Sequence, residues 1–193
     1  MNPTIFFRLA LLAFSFAAVE AKHFVTRGEV LKGVNELRAM YANETQIGNM
    51  NEVVYDMKLE NIAKKEVEKH KVCDHKTMMI TLNGNLQLFK FSSFSFWFSD
   101  SQVMEDMVET GKTKMAFARA KCKYNKEEDD VFIIVMDTDP NIPMVPGKPG
   151  SRCPENRPFS NNGLCGTRKG YARKGQVNKE DVQKFAKLIS NRR

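Results

Sequence analysis

The stretch GEVLKGVNELRAMYA, Gly28–Ala42, decides the fold class, because its apolar residues return at helical rather than strand spacing. Val30, Leu31, Val34, Leu37 and Tyr41 share one side, while Lys32, Glu36 and Arg38 fall on the other, which predicts an amphipathic helix facing a core. A second helix is predicted downstream, with Asp56 as N-cap, MKLENIAKKEVEKH as body, and Leu59, Ile62, Ala63 and Val67 on its apolar side. His70 lies near its C-terminus, where an imidazole answers the helix dipole. The polar stretch between the two helices is expected to be a loop. It holds Asn43-Glu44-Thr45, an N-glycosylation sequon, and the residues leave open whether Asn43 is modified.

Strand signals follow. LQLFKFSSFSFWFSD, Leu86–Asp100, has aromatic residues in near alternation, with a phase shift at Ser92-Ser93 that points to a bulge or a turn. Lys90 is its one basic residue, so the aromatics are read as core rather than as a stacking platform for bases. KMAFARAKCKY and DDVFIIVMD are predicted to form a hairpin across the polar NKEEDD turn, with Ala116, Ala118, Ala120, Cys122 and Tyr124 on one face and Phe117 on the other. PNIPMVPGKPGSRCP carries too many prolines and glycines for regular structure. Near the end, VNKEDVQKFAKLISNRR predicts a basic amphipathic helix capped by Asn178. Helices and strands mixed without a strict β-α-β repeat imply an α+β domain.

The first residues, MNPTIFFRLALLAFSFAAVEA, have Arg8, an apolar run from Leu9 to Val19, and small residues flanking Glu20. This predicts a secretory signal peptide cleaved after Ala21, since the run is short for a bilayer span; the alternative is an uncleaved anchor. No later segment is apolar enough to be a transmembrane helix. Export would place the four cysteines in an oxidising compartment, where disulfides persist, and four cysteines allow three pairings. His70, Cys73 and His75 also form a ligand-like cluster, but the only other histidine, His23, supplies no second pair. The formal net charge is +7. From Gly166 onward there are nine basic and two acidic residues, so the tail carries the whole surplus. Such an asymmetry suggests an acidic partner, or a charged tail that serves solubility.

The order of several partial motifs resembles the CAP superfamily, the group of cysteine-rich secretory proteins, antigen 5 and plant pathogenesis-related proteins. Asn35 and Arg38 match an Asn-x-x-Arg helix, Tyr55 and Asp56 a Trp/Tyr-Asp pair, and Leu59, Glu60 and Ala63 a Leu-Glu-x-x-Ala helix ending near a cysteine, Cys73. KMAFARAKC is similar to the family's Gly-Cys-Ala strand, and PGKPGSRCPENRPFSNNGLCG is similar to the cysteine-rich segment that closes many nematode members. The resemblance spans Val30 to Cys165 with one contraction and implies an α-β-α sandwich. It also implies that Cys73 pairs with Cys122 and Cys153 with Cys165. Two further family bridges would be lost whole, one at Phe117 and Met136 and one at Gly150 and Ser160.

Many family members hold a divalent metal in a cleft of two histidines and two acids. Here the implied positions carry Thr77 and Val103 for the histidines, Asn83-Gly84-Asn85-Leu86 without its glutamate, Trp97 with Asp100 for the remaining acid, and Glu109 for a tryptophan. The chain is therefore expected to bind no metal or cofactor and to be no enzyme. The organisation implied is a signal peptide over residues 1–21, a divergent CAP-like domain over 22–148, a disulfide-closed segment over 149–166 and a basic tail over 167–193. The leading function is a secreted binding protein whose tail residues Arg168, Lys169, Arg173, Lys174, Lys184 and Lys187 engage an anionic glycan, lipid or acidic protein. Nucleic acid is not expected as a partner of a secreted chain. The alternative is a metal-dependent extracellular hydrolase using His70 and His75.

Overall fold

The computed structural model of the chain describes residues 26–74, 77–92, 101–124 and 126–168. Helix α1 spans Arg27–Thr45 and starts with a capping box: the Thr26 hydroxyl accepts from the Glu29 N–H, and the Glu29 carboxylate accepts from the Thr26 N–H. It ends at Gln46, which takes the left-handed conformation at φ 55°. The helix thus runs three residues further than predicted and absorbs the sequon expected in a loop, the Thr45 hydroxyl donating to the Tyr41 carbonyl at 2.6 Å. Helix α2, Met57–His70, has the predicted bounds, because the Asp56 side chain accepts from the N–H groups of Lys58 and Leu59.

The strands are β1 Val54–Tyr55, β2 Met78–Leu82, β3 Leu86–Ser92, β4 Lys114–Tyr124 and β5 Glu127–Asp137. They form one sheet in the order β1-β4-β5-β3-β2, with β1 parallel to β4 and every other pairing antiparallel. The β4–β5 turn is tighter than predicted. Most of NKEEDD is strand, because Lys123 lies opposite Glu128 and Lys121 opposite Asp130, so opposite charges pair across the ladder. Three unpredicted features complete the fold: β2, the short helix α3 over Ser101–Met107, and a small hairpin of β6 Phe159–Asn161 with β7 Leu164–Gly166. The aromatics Phe94, Phe96, Trp97 and Phe98, and the basic C-terminal helix, lie outside the described residues.

Strand alternation sends two sets of side chains to opposite faces. Leu88, Ala116, Ala118, Val131, Ile133 and Val135 pack under Leu59, Ala63 and Val67 of α2. Phe89, Phe91, Met115, Ile134 and Met136 pack under Val30 and Val34 of α1 and Val103 and Met107 of α3. The sheet therefore lies between two helical layers, the α-β-α arrangement of an α+β domain. A third cluster joins the end of α1 to the closing hairpin through Leu37, Ala42, Ile47, Met50, Val108 and Leu164.

Two buried charges tie the layers together. Arg38, predicted on the solvent side of α1, is fully buried. Its guanidinium donates to the carbonyls of Asn51 at 2.9 Å, Met107 at 2.7 Å, Glu109 at 3.0 Å and Lys112 at 3.3 Å, so it holds the end of α3 and the loop after it. Burial lowers its pKa to about 9, still high enough to keep it cationic. Glu60 on α2 is almost fully buried and accepts from Arg27 and Lys64 at 2.6 Å each and from the Tyr55 hydroxyl at 2.7 Å. The Tyr55 hydroxyl in turn accepts from the Phe117 N–H at 3.4 Å, which links α1, α2, β1 and β4.

The disulfides are Cys73–Cys122, across α2 and β4, and Cys153–Cys165, the same pairs that the resemblance implies. With separations of 49 and 12 residues, they are worth about 4 and about 3 kcal/mol in a chain-entropy account. Of the residues at the lost bridges, Phe117 and Met136 share the face under α1 and α3. Gly150 sits so close to Ser160 that a Cβ on it would overlap the serine Oγ.

Replacing Arg38 by Met should lower the unfolding free energy by about 3–5 kcal/mol, since four carbonyls lose a charged donor in a dry site. Urea denaturation measures this. Glu60 adds a pH signature. Hydrogen bonds from Arg27, Lys64 and Tyr55 depress its pKa from 4.5 to about 2. Its stabilisation is therefore present above the unfolded value and is lost as pH falls through the folded one. Thermal melts of Glu60→Gln against the parent should show a stability gap at neutral pH that closes between about pH 5 and about pH 2.

Candidate functional site

The positions implied for a metal cleft have been given over to packing and turns. Val103, in place of an imidazole, packs into the core beside Met107, Phe89 and Phe91. Thr77 is half-buried just before β2 and offers only a hydroxyl. Asn83-Gly84-Asn85 is the turn of the β2–β3 hairpin, with Gly84 at φ 62° and the Asn85 N–H donating to the Asn83 carbonyl at 2.7 Å. A left-handed Gly after Asn is the chemistry of a tight hairpin, which accounts for the Asn-Gly pair without a ligand role. Hydroxyl, amide and isopropyl groups do not fit the donor set of a divalent transition metal. Trp97, Asp100 and His75 lie outside the described residues. Among the described residues, no three His, Cys, Asp or Glu side chains come close enough together to hold a metal ion.

His70 is engaged locally. Its Nε2 lies 3.6 Å from a Glu66 carboxylate oxygen one turn back on α2, and Lys69 bonds the same carboxylate at 2.6 Å. Cys73 is in a disulfide and cannot serve as a thiolate ligand.

Where the resemblance places a tryptophan, Glu109 forms an ion pair with Lys112 at 2.5 Å. Lys112 is completely buried; its ammonium also donates to the Gln87 side chain and lies 5.8 Å from the centre of the Phe89 ring. Burial lowers its pKa, and the hydrogen bond and charge of Glu109 oppose that shift. A lysine so enclosed and so fully engaged braces the end of the sheet rather than attacking a substrate. Sequence reasoning missed it, because nothing in TGKTK distinguishes this lysine from a surface one. Glu60 had a signal of a sort, since the Leu-Glu-x-x-Ala spacing sets it beside two core residues on α2.

Asn43 is exposed on the last turn of α1, with its backbone carbonyl accepting from the Gln46 side chain at 2.6 Å. Of the basic tail, Arg168 is described and exposed. Its carbonyl accepts from the Asn161 side chain at 2.8 Å, and that amide also donates to Glu52 at 2.9 Å, so the start of the tail is tied to the closing hairpin. Lys169, Arg173, Lys174, Lys184 and Lys187 lie outside the described residues, as does Ala21.

No helix among the described residues is long and apolar enough to cross a membrane. No family model matches the chain, and no curated protein matches it. Among solved structures it is similar to the hookworm platelet inhibitor, at 18% identity over 64% of this chain and 76% of that chain, with a TM-score of 0.44. It is similar to a manganese-bound protein named Ac-ASP-7, at 20% identity over 76% of this chain and 92% of that one, TM-score 0.46. The venom allergen-like protein 4 of Schistosoma mansoni shares 15% identity over 64% and 93% of the two chains, TM-score 0.43. All three are CAP-like proteins, members of the group that the motif order resembles.

Proposed function

We propose that this chain is a secreted, non-enzymatic CAP-like protein that acts by binding, on a scaffold that has given up its metal cleft. The observation that carries the reading is the exchange at the cleft: the two implied histidine positions are Thr77 and a core-packed Val103, while both disulfides of the scaffold remain. A protein that lost its fold along with its site would not keep the bridges. The disulfides suit an oxidising, extracellular compartment, and the signal sequence read at residues 1–21 would deliver the chain there.

Binding through the basic tail is the specific form of the proposal. The whole formal surplus of +7 lies from Gly166 onward, on a segment whose first basic residue, Arg168, is exposed. Clustered Lys and Arg on a short segment attract sulfated glycan, acidic lipid or acidic protein, and that attraction weakens with salt.

Heparin-column retention tests this. The full chain should elute at a salt concentration well above that of a variant truncated before Gly166, and equal retention of the two would reject the tail as the binding element. The hydrolase alternative predicts stoichiometric metal in the purified protein. Mass spectrometry for bound metals should find none, and neither His70→Ala nor His75→Ala should alter heparin retention.

A further inference from the structure

The segment from Asp139 to Gly147 turns its backbone polar atoms inward and its apolar side chains outward, the reverse of an ordinary surface loop. Ile142 is 37% exposed and Met144 43%, and Pro140, Pro143 and Pro146 are exposed beside them. Prolines at 143 and 146 restrict Ile142 and Val145 to extended backbone, so the run from 142 to 146 is stiff by its covalent chemistry. Beneath it runs the segment from Gln46 to Asn49. The Gly48 N–H donates to the Val145 carbonyl at 2.8 Å, the Gly147 N–H to the Gln46 carbonyl at 2.7 Å, and the Thr110 hydroxyl to the Ile142 carbonyl at 3.0 Å.

The decisive contact is Asn49. Its side-chain amide is largely buried and donates to the Pro143 carbonyl at 2.9 Å, while its carbonyl oxygen accepts from the Val145 N–H at 2.9 Å. One side chain therefore fixes the peptide groups on both sides of Met144 and leaves Met144 projecting between them. The base of the loop is stapled too. Cys165, bridged to Cys153, donates its N–H to the Met50 carbonyl at 2.7 Å and accepts from the Glu52 N–H at 2.9 Å.

We propose that Pro143-Met144-Val145 is a reactive-site loop for an extracellular serine endopeptidase with an apolar specificity pocket, which Met144 fills. Endopeptidases bind their substrates extended, and a loop already held extended loses little entropy on binding. A long unbranched apolar side chain matches a deep apolar pocket, and nothing in the loop supplies the cation that a trypsin-type pocket requires. In the enzyme's cleft, the serine Oγ adds to the Met144 carbonyl carbon and its proton passes through the catalytic histidine to the Val145 nitrogen as the Met144–Val145 bond breaks. Asn49 keeps that nitrogen in place. The amine then attacks the acyl-enzyme, the peptide bond re-forms, and the serine recovers its proton, so the loop inhibits instead of being consumed. The proposal takes only its compartment from the secreted, non-enzymatic reading and makes no use of the basic tail, so the two can fail separately.

The test uses the full disulfide-bonded chain with chymotrypsin, elastase and trypsin as probes. The parent should inhibit chymotrypsin or elastase at micromolar concentrations or below, of order the midrange of protein affinities, and leave trypsin active. Met144→Arg, at an exposed position, should keep the parent's circular dichroism, weaken that inhibition by about tenfold or more and create inhibition of trypsin. Asn49→Ala should speed cleavage at Met144–Val145 by about tenfold, because the clamp no longer retains the amine. Absence of inhibition, immediate cleavage of the parent as an ordinary substrate, or inhibition unchanged in Met144→Arg would each overturn the proposal.

Discussion

A guanidinium removed from water sets the terms for this fold. Arg38 is completely buried, and its burial is tolerable only because four backbone carbonyls surround it. Those carbonyls belong to residues 51, 107, 109 and 112, so the charge specifies where the segment after α1, the end of α3 and the approach to β4 must meet. Asn35, one turn earlier on the same helix, both donates to the Val53 carbonyl and accepts from the Val53 N–H at 2.9 Å. Together they hold the strand β1 that leads into α2. The Asn-x-x-Arg spacing is thus a structural clamp, and the parallel β1–β4 pairing follows from where it places Val53.

From that clamp the rest of the molecule is hung in order. Residues 46–52 form a shelf that carries the proline-rich loop on one side and the closing hairpin on the other, the latter through bonds to Cys165. Cys153–Cys165 closes that hairpin, and Cys73–Cys122 pins the end of α2 to β4 on the far face of the sheet. The positions of the lost bridges make sense in the same terms. Phe117 and Met136 contribute apolar burial on one face, and Phe117 stacks on Phe132 with ring centres 5.9 Å apart. At Gly150 the left-handed φ of 72° suits glycine, and its approach to Ser160 leaves no room for a side chain.

Elements whose apolar residues repeat cleanly were legible in the sequence. The bounds of α2 followed from Asp56 and the spacing of Leu59, Ala63 and Val67, and the alternation of β4 correctly divided Ala116, Ala118 and Cys122 from Phe117. Hydrophobic periodicity fails at buried charge, because it assigns every charged residue to solvent. That is why Arg38 was set on the wrong side of α1, and why Lys112 carried no signal at all. The strand β2 was missed although Asn83-Gly84 marks its hairpin, since the same four residues were read as the remnant of a ligand motif. The sequon was placed in a loop because Asn and Thr favour loops, whereas here the helix continues and takes up the Thr45 hydroxyl within its own turn.

The central claim is that a disulfide-braced α-β-α scaffold persists around a site whose imidazoles have been replaced by residues that pack or cap. The scaffold half of that claim fixes which cysteines can meet, and with it whether Cys73 could ever be a thiolate ligand. Non-reducing peptide mapping of the secreted protein by mass spectrometry tests it most directly. The account predicts two cross-linked peptides, Cys73 with Cys122 and Cys153 with Cys165. A free Cys73, or any other pairing, would contradict the fold and return His70, Cys73 and His75 to consideration as a ligand set.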